Sequence, residues 1–225
     1  YLGSLYAEMG ELEKGIDYCQ RALAFAREYH RREQEIWNLQ ELGRAYTMQC
    51  QFDKAIEHLE LANTFARDMK SPLYLQGGLY GLAMTHWLAH DLSNAHHTIT
   101  EAREYDHVPF SKDSVLIASG CIAVCMENLV DAKIFFESGL TIINTLLADS
   151  PSLYDKLYAR GVAHIGLWLA TDDAIHHTQA MQAFHEAKTI CGYAGVILQY
   201  RQQVEALLAC NDKNGAAFLA VLKAQ

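Results

Sequence analysis

The chain offers 11 His and six Cys as raw material for a chemical site. His86 and His90 stand four apart, the spacing that places two imidazoles on one helical face as metal ligands. No local motif supplies a third ligand, and the flanking Trp87, Leu88 and Ala89 favour packing. His96-His97 and His176-His177 are adjacent pairs. Neighbours on a helix point about 100° apart, so neither pair makes a natural bidentate site, and both are expected on the surface. Cys121 and Cys125 are again four apart and could bind a soft metal or oxidise, but two thiols without further ligands more often pack. Asp172-Asp173 lacks the alternating acids of a calcium loop. There is no GxxxxGK[ST] loop, no GxSxG elbow and no HExxH. No catalytic residue, metal ligand or cofactor is assigned, and an enzyme is not expected.

The elements that must carry any site are helices. Gly and Pro number 14 and 3 in 225 residues, too few for an all-β chain, which needs a turn roughly every 8–12 residues. With 51% hydrophobic residues the chain is far from disordered. No apolar run reaches the roughly 20 residues that span a bilayer, so no membrane segment is expected. Lys plus Arg is 18 against 27 Asp plus Glu, a net charge of −9, which speaks against direct nucleic-acid binding. The acidity concentrates in residues 71–150, with 3 basic and 9 acidic side chains. The cysteines lie mostly in apolar helical patterns without a CxxC pair. They are expected to be free and buried, as in a reducing compartment, which implies a cytoplasmic protein. Tyr1 opens the chain inside an apolar-periodic segment, with no initiator Met or signal peptide, as expected of a piece of a longer protein.

Self-alignment at a spacing of 40 exposes a repeat. Leu2-Gly3-x-x-Tyr6 recurs as Leu42-Gly43-x-x-Tyr46 and, weakened, as Leu82-Ala83-x-x-His86. A second element follows each: Gly15, Cys19, Ala22; then Ala55, Leu59, Ala62; then Ala95, Ile99, Ala102. Polar breaks at Gly10-Glu11, Gln51-Phe52 and His90-Asp91 separate the two elements. A fourth copy, 37 residues on, reads Leu116, Gly120, Ala123, then Ala132, Phe136, Gly139. A fifth, degenerate copy reads Gly161, Ala163, Trp168, then Ala180, Phe184, Ala187, its break lengthened by Thr171-Asp172-Asp173. Small residues at fixed positions let antiparallel helices approach to about 8 Å, with a large neighbour filling the adjoining groove. One such pair cannot bury both apolar faces, but stacked copies can. Ser71-Pro72 and Ser150-Pro151 read as N-cap followed by the first helical position, and Pro109 falls in the Asp106–Lys112 connection. The turn cluster Asn211-Asp212-Lys213-Asn214-Gly215, followed by apolar Ala216–Leu222, reads as a terminal cap.

This small-large pattern resembles the tetratricopeptide repeat, W-x-x-L-G-x-x-Y in helix A and A-x-x-x-F-x-x-A in helix B. Leu39, Leu42, Gly43, Tyr46, Ala55, Leu59 and Ala62 match in the second copy. The period of 40 exceeds the consensus 34, as in the long-helix branches of the family. The resemblance covers roughly residues 1–190. It implies an all-α, right-handed superhelix of about five antiparallel hairpins, at about 1–30, 33–69, 72–106, 112–148 and 152–190. A closing helix over 193–210 completes an array spanning 1–210, and 211–225 forms a C-terminal cap.

In the resembled family helix A lines the concave face through positions 2, 5, 9 and 12. Those positions here are Trp37, Gln40, Arg44 and Thr47; Gly77, Tyr80, Met84 and Trp87; Ser114, Ile117, Cys121 and Val124; and Leu157, Arg160, His164 and Leu167. The partner-binding groove expected from them comprises Trp37, Gln40, Arg44, Tyr80, Met84, Trp87, Ile117, Cys121, Arg160 and His164. Trp37, Arg44, Tyr80, Met84 and Trp87 are expected on one concave surface, at least partly open. Trp, Tyr, Met and Arg are the types enriched at interfaces. Positions 5 and 9 read Gln40/Arg44, Tyr80/Met84 and Ile117/Cys121, so the Lys and Asn carboxylate clamp of chaperone-binding members is absent. The resemblance implies a scaffold that binds a protein or peptide. The alternative is the C-terminal sensor segment of a bacterial signalling ATPase or transcription regulator.

Overall fold

Turns recur every twenty residues at the start of the chain, half the sequence repeat. The computed structural model describes residues 1–105, 107–108, 112–211 and 213–223. Within it the first helices all end on one kind of turn. The amides of Glu11, Arg31, Gln51, Ser71 and Asp91 each donate to the carbonyl five residues back, and Gly10, His30, Cys50, Lys70 and His90 each donate to the carbonyl three back. This is the Schellman closure, which satisfies orphan carbonyls by turning one residue left-handed. Gly10 adopts φ 92° freely, whereas His30, Cys50, Lys70 and His90 adopt φ of 52° to 62° with a side chain in place. Asn128 and Glu127 repeat the motif once later in the chain.

The chain divides into two compact units, residues 1–111 and 112–225; a boundary there is not among the sequence expectations. The first unit holds α1 (Leu2–Met9), α2 (Leu12–Glu28), α3 (Arg32–Met48), α4 (Phe52–Asp68), α5 (Pro72–Leu88) and α6 (Leu92–Arg103). Each packs on the next, and α3 also packs on α5. The second holds α7 (Lys112–Cys125), α8 (Leu129–Asp149), α9 (Tyr154–Thr171), α10 (Ala174–Ile190), α11 (Ala194–Ala209) and α12 (Ala216–Val221). Among the described residues the regular structure is entirely helical, five successive hairpins and two closing helices.

The small-large code is what lets the helices of a hairpin meet. A Cβ on Gly43 would collide with the Leu59 side chain, one on Gly120 with Phe136, and one on Gly3 with Cys19. In each case the large residue stands sixteen positions later. Ala55 and Ala62 are fully buried beside Leu59, as the repeat requires. Pro72 opens α5 behind the N-cap Ser71, although the Ser71 side chain makes no cap hydrogen bond. Ser150-Pro151 departs from expectation. α8 runs on to Asp149, Ser150 closes it by donating its amide to Leu146, and α9 begins only at Tyr154, so Pro151 sits in a turn. Pro109 and Asp212 lie outside the described residues.

The second unit relies on long-range ties. Cys125, at the end of α7, and Cys210, just past α11, are joined in a disulfide across 85 residues. This corrects the expectation of free, packed thiols at Cys125 and Cys210, whereas Cys19, Cys121 and Cys191 are free and buried: local spacing pairs Cys125 with Cys121, but the fold brings the ends of α7 and α11 together instead. Cys121 is buried, and burial pushes its thiol pKa up. Asp113, 1% exposed, accepts an ion pair from Lys156 of α9 at 2.8 Å. The last turns dock on α9 and α10. Phe218 of α12 is fully buried against His177, Trp168 and Phe184. Lys188 holds the end of the segment through the carbonyls of Val221 and Lys223.

Candidate interaction groove

A cavity of about 730 Å³ opens in the first unit between the N-terminal halves of α3 and α5. From α3 it is lined by Glu33, Trp37 and Gln40, three residues that the helical period places on one face. From α5 it is lined by Leu73, Tyr74 and Gly77, and Ala22 of α2 and Tyr1 contribute further surface. Trp37 is 44% exposed, unusual for an indole. Gln40 donates from Nε2 to the Tyr74 carbonyl at 2.7 Å, so one hydrogen bond fixes the wall on both sides. Towards their C-termini the same helices close up. Thr47 Oγ1 and Thr85 Oγ1 lie 2.8 Å apart, so one hydroxyl donates to the other, which donates to the carbonyl within its own helix, Gly43 or Gly81.

Two adjacent glycines of α5 differ in what they serve. A Cβ on Gly78 would collide with the buried Asn63 amide. A Cβ on Gly77 would meet only Gln40 Oε1, at 3.7 Å, an ordinary contact. Glycine inside a helix costs about 1 kcal/mol relative to alanine. At Gly78 close packing accounts for that cost. At Gly77 the fold does not, and the residue lies on the cavity.

The charges around the cavity are partly consumed. Arg27 and Arg32 both reach Glu35, at 3.1 and 2.7 Å, and the Arg32 guanidinium stacks 3.9 Å over Phe65. Arg44 pairs with Glu41 at 2.9 Å. Burial alone would lower its pKa, but Glu41 more than offsets that and the guanidinium is held charged. Glu33 is the only charged side chain among the cavity-lining residues described. Burial raises the Tyr74 phenol pKa, and the Glu33 carboxylate raises it further.

The residues expected to line one groove therefore divide. Trp37 and Gln40 do line this cavity, facing Gly77. Arg44 and Tyr80 are half-buried. Met84 and Trp87 are corrections: Trp87 is 1% exposed and Met84 is buried, because they fall where α3 and α5 converge. Ile117 and Cys121 are corrections too. Ile117 packs over Gly139 of α8, so this face of α7 points into its own hairpin, and Cys121 is buried. Arg160 pairs with Glu186 of α10. His164 is half-buried, its Nδ1 3.2 Å from that of His176. Burial first, then His176 and Arg160, lower its pKa to about 4. His176 and His177, expected on the surface, are half-buried, His177 resting on Phe218. His86 and His90 do not share a helical face, because α5 ends at Leu88 and His90 occupies the left-handed turn. His96 and His97 are exposed, as expected. Among the described residues no three His, Cys, Asp or Glu gather as a metal site.

Glu33, Leu73 and Tyr74 were not singled out in the sequence. Glu33 precedes Trp37 by four residues, so extending the Trp37 face one turn towards the N-terminus would have found it.

Stacked helical hairpins around an open groove between A helices define a helical-repeat protein. Residues 1–68, α1 to α4, match the tetratricopeptide repeat family model, and over that stretch the chain is similar to that family. Such repeats are commonly protein–protein interaction modules, and the family is typically a non-catalytic scaffold. A comparison with curated proteins finds no match. Among the described residues no helix is long and apolar enough to cross a membrane.

Proposed function

We propose that this chain is an interaction scaffold whose α3–α5 groove holds a segment of a protein partner. The observation that carries this is the cavity itself, about 730 Å³ with an open indole on one wall and a backbone-only floor at Gly77. Grooves of this kind, apolar with a few fixed polar groups, are where ligands lodge. On the A-helix pattern Trp87 is taken up by packing and Tyr80 is half-buried, which leaves the more open Trp37 as the anchor. An aromatic anchor in a pocket is the usual energetic centre of an interface.

The test uses Trp37→Ala in the full chain against a degenerate pool of short peptides. Retained thermal stability with binding weakened by about tenfold or more is expected, the loss of one anchor side chain. Equal binding by wild type and Trp37→Ala would remove the groove from the function.

A further inference from the structure

The groove's own chemistry narrows its occupant. Trp37 and Glu33 stand four apart on α3, which stacks a carboxylate one turn from an open indole face. An indole face attracts a cation set within about 6 Å of its centre, and a carboxylate at the rim supplies the counter-charge. The nearby Arg27 and Arg32 do not neutralise Glu33, since both are spent on Glu35. The influence of Glu33 reaches across the groove, where it raises the Tyr74 phenol on α5. Residues 1–111 carry 10 Lys and Arg against 16 Asp and Glu, a balance of −6 that draws cations to this unit.

The floor suits an extended main chain. Gly77 leaves open the space that its side chain would occupy, although the helix would be better served by alanine. Gln40 is held by its Nε2 bond to the Tyr74 carbonyl, and its Oε1 is the atom nearest the missing Gly77 Cβ. That places an immobilised acceptor beside the open floor, able to take a peptide N–H.

We infer that the groove takes an extended peptide segment presenting a Lys or Arg, its cationic side chain laid over Trp37 and paired with Glu33. This rests on the groove being the binding face. It reverses the charge preference of a clamp built to hold a carboxylate, consistent with the absence of paired Lys and Asn at the clamp positions.

The test compares fluorescein-labelled peptide pools of uncharged degenerate sequence, with the central residue fixed as Arg, Lys, Gln or Glu. Binding to the 225-residue chain is read by anisotropy at low and moderate salt. The Arg and Lys pools should bind about five- to tenfold tighter than the Gln pool, and the Glu pool weakest. Glu33→Gln should bring Arg and Gln pools together without weakening the Gln pool. Gly77→Leu should fill the floor and abolish all binding with an unchanged melt; Trp37→Ala serves should Gly77→Leu fail to fold. Equal binding of Arg and Gln pools, blocked by Gly77→Leu, would overturn the basic-peptide inference and leave the groove standing. A basic preference untouched by Glu33→Gln would overturn it as well, because the charge would then be read elsewhere. No binding by any pool, or binding indifferent to Gly77→Leu and Trp37→Ala, would overturn both.

Discussion

In the first unit α2, α3, α4 and α5 are each 17 residues long and set apart by matching three-residue turns. In the second, α7 to α12 run to 14, 21, 18, 17, 16 and 6 residues. The first unit repeats one local solution. Its helices pack on their sequence neighbours, and α3 also packs on α5, as in a one-dimensional stack. The second has lost the regular period and has gained a disulfide, a buried Asp113–Lys156 pair and a docked terminal segment. Where the repeat weakens, sequence-distant ties take over the work of holding helices in place. The open groove lies in the regular unit, where α3 and α5 stand apart over their N-terminal halves.

The disulfide offers the largest way to break this comparison. Closing 85 residues restricts the unfolded chain by up to about 4–5 kcal/mol in the loop-entropy account. Reduction, or Cys125→Ser, should therefore lower amide-exchange protection in α7 and α11 far more than in α3 and α4. Hydrogen exchange read peptide by peptide checks it. An equal loss in all four helices would contradict the division between local and long-range stabilisation.

A smaller effect separates the units by pH. His164 has its pKa lowered to about 4 in the fold, from an ordinary value of 6.5. Between those values the unfolded chain binds the extra proton and the folded one does not. Stability contributed at this site is thus full at neutral pH, falls as pH drops through 6.5, and levels off below about 4. The ceiling on the loss is roughly 3 kcal/mol. The first unit contains no His–His contact of this kind among its described residues. His164→Asn should flatten the acid-side decline in urea-unfolding midpoints followed through α9 and α10. A decline identical in wild type and variant would show that the His164–His176 contact is not its source.

How much of this the sequence carried depends on the range of the signal. The offset of sixteen between Gly43 and Leu59, or Gly120 and Phe136, is written in neighbouring hairpin positions, and helix pairing followed from it. Trp37 was legible because exposure on one helical face depends mainly on that helix. Met84 and Trp87 share the same period but not the same fate. Burial there is set by the convergence of two helices at Thr47 and Thr85, which no periodicity within α5 encodes. Cys125 and Cys210 lie 85 residues apart, with nothing local to mark them as partners.

The smallest prediction sharpens the regular unit's own logic. His30, Lys70 and Glu127 sit in the left-handed turn position where the Cβ is strained, with φ of 53°, 52° and 61°. A non-glycine residue there costs about 1–2 kcal/mol. Replacement by glycine relieves that strain but frees the unfolded backbone by roughly 0.5–1 kcal/mol. The difference leaves a net gain of up to about 1.5 kcal/mol per site. His30→Gly and Lys70→Gly lie forty residues apart, in separate turns, so their gains should add. Glu127→Gly, at a Schellman turn of the second unit, should give a similar single increment. Chemical unfolding of the single variants and the double His30→Gly/Lys70→Gly measures all three. A loss of stability at His30 or Lys70 would mean that those side chains hold their turns in a way the backbone geometry does not reveal. The twenty-residue beat would then depend on residue identity as well as on the Schellman hydrogen bonds.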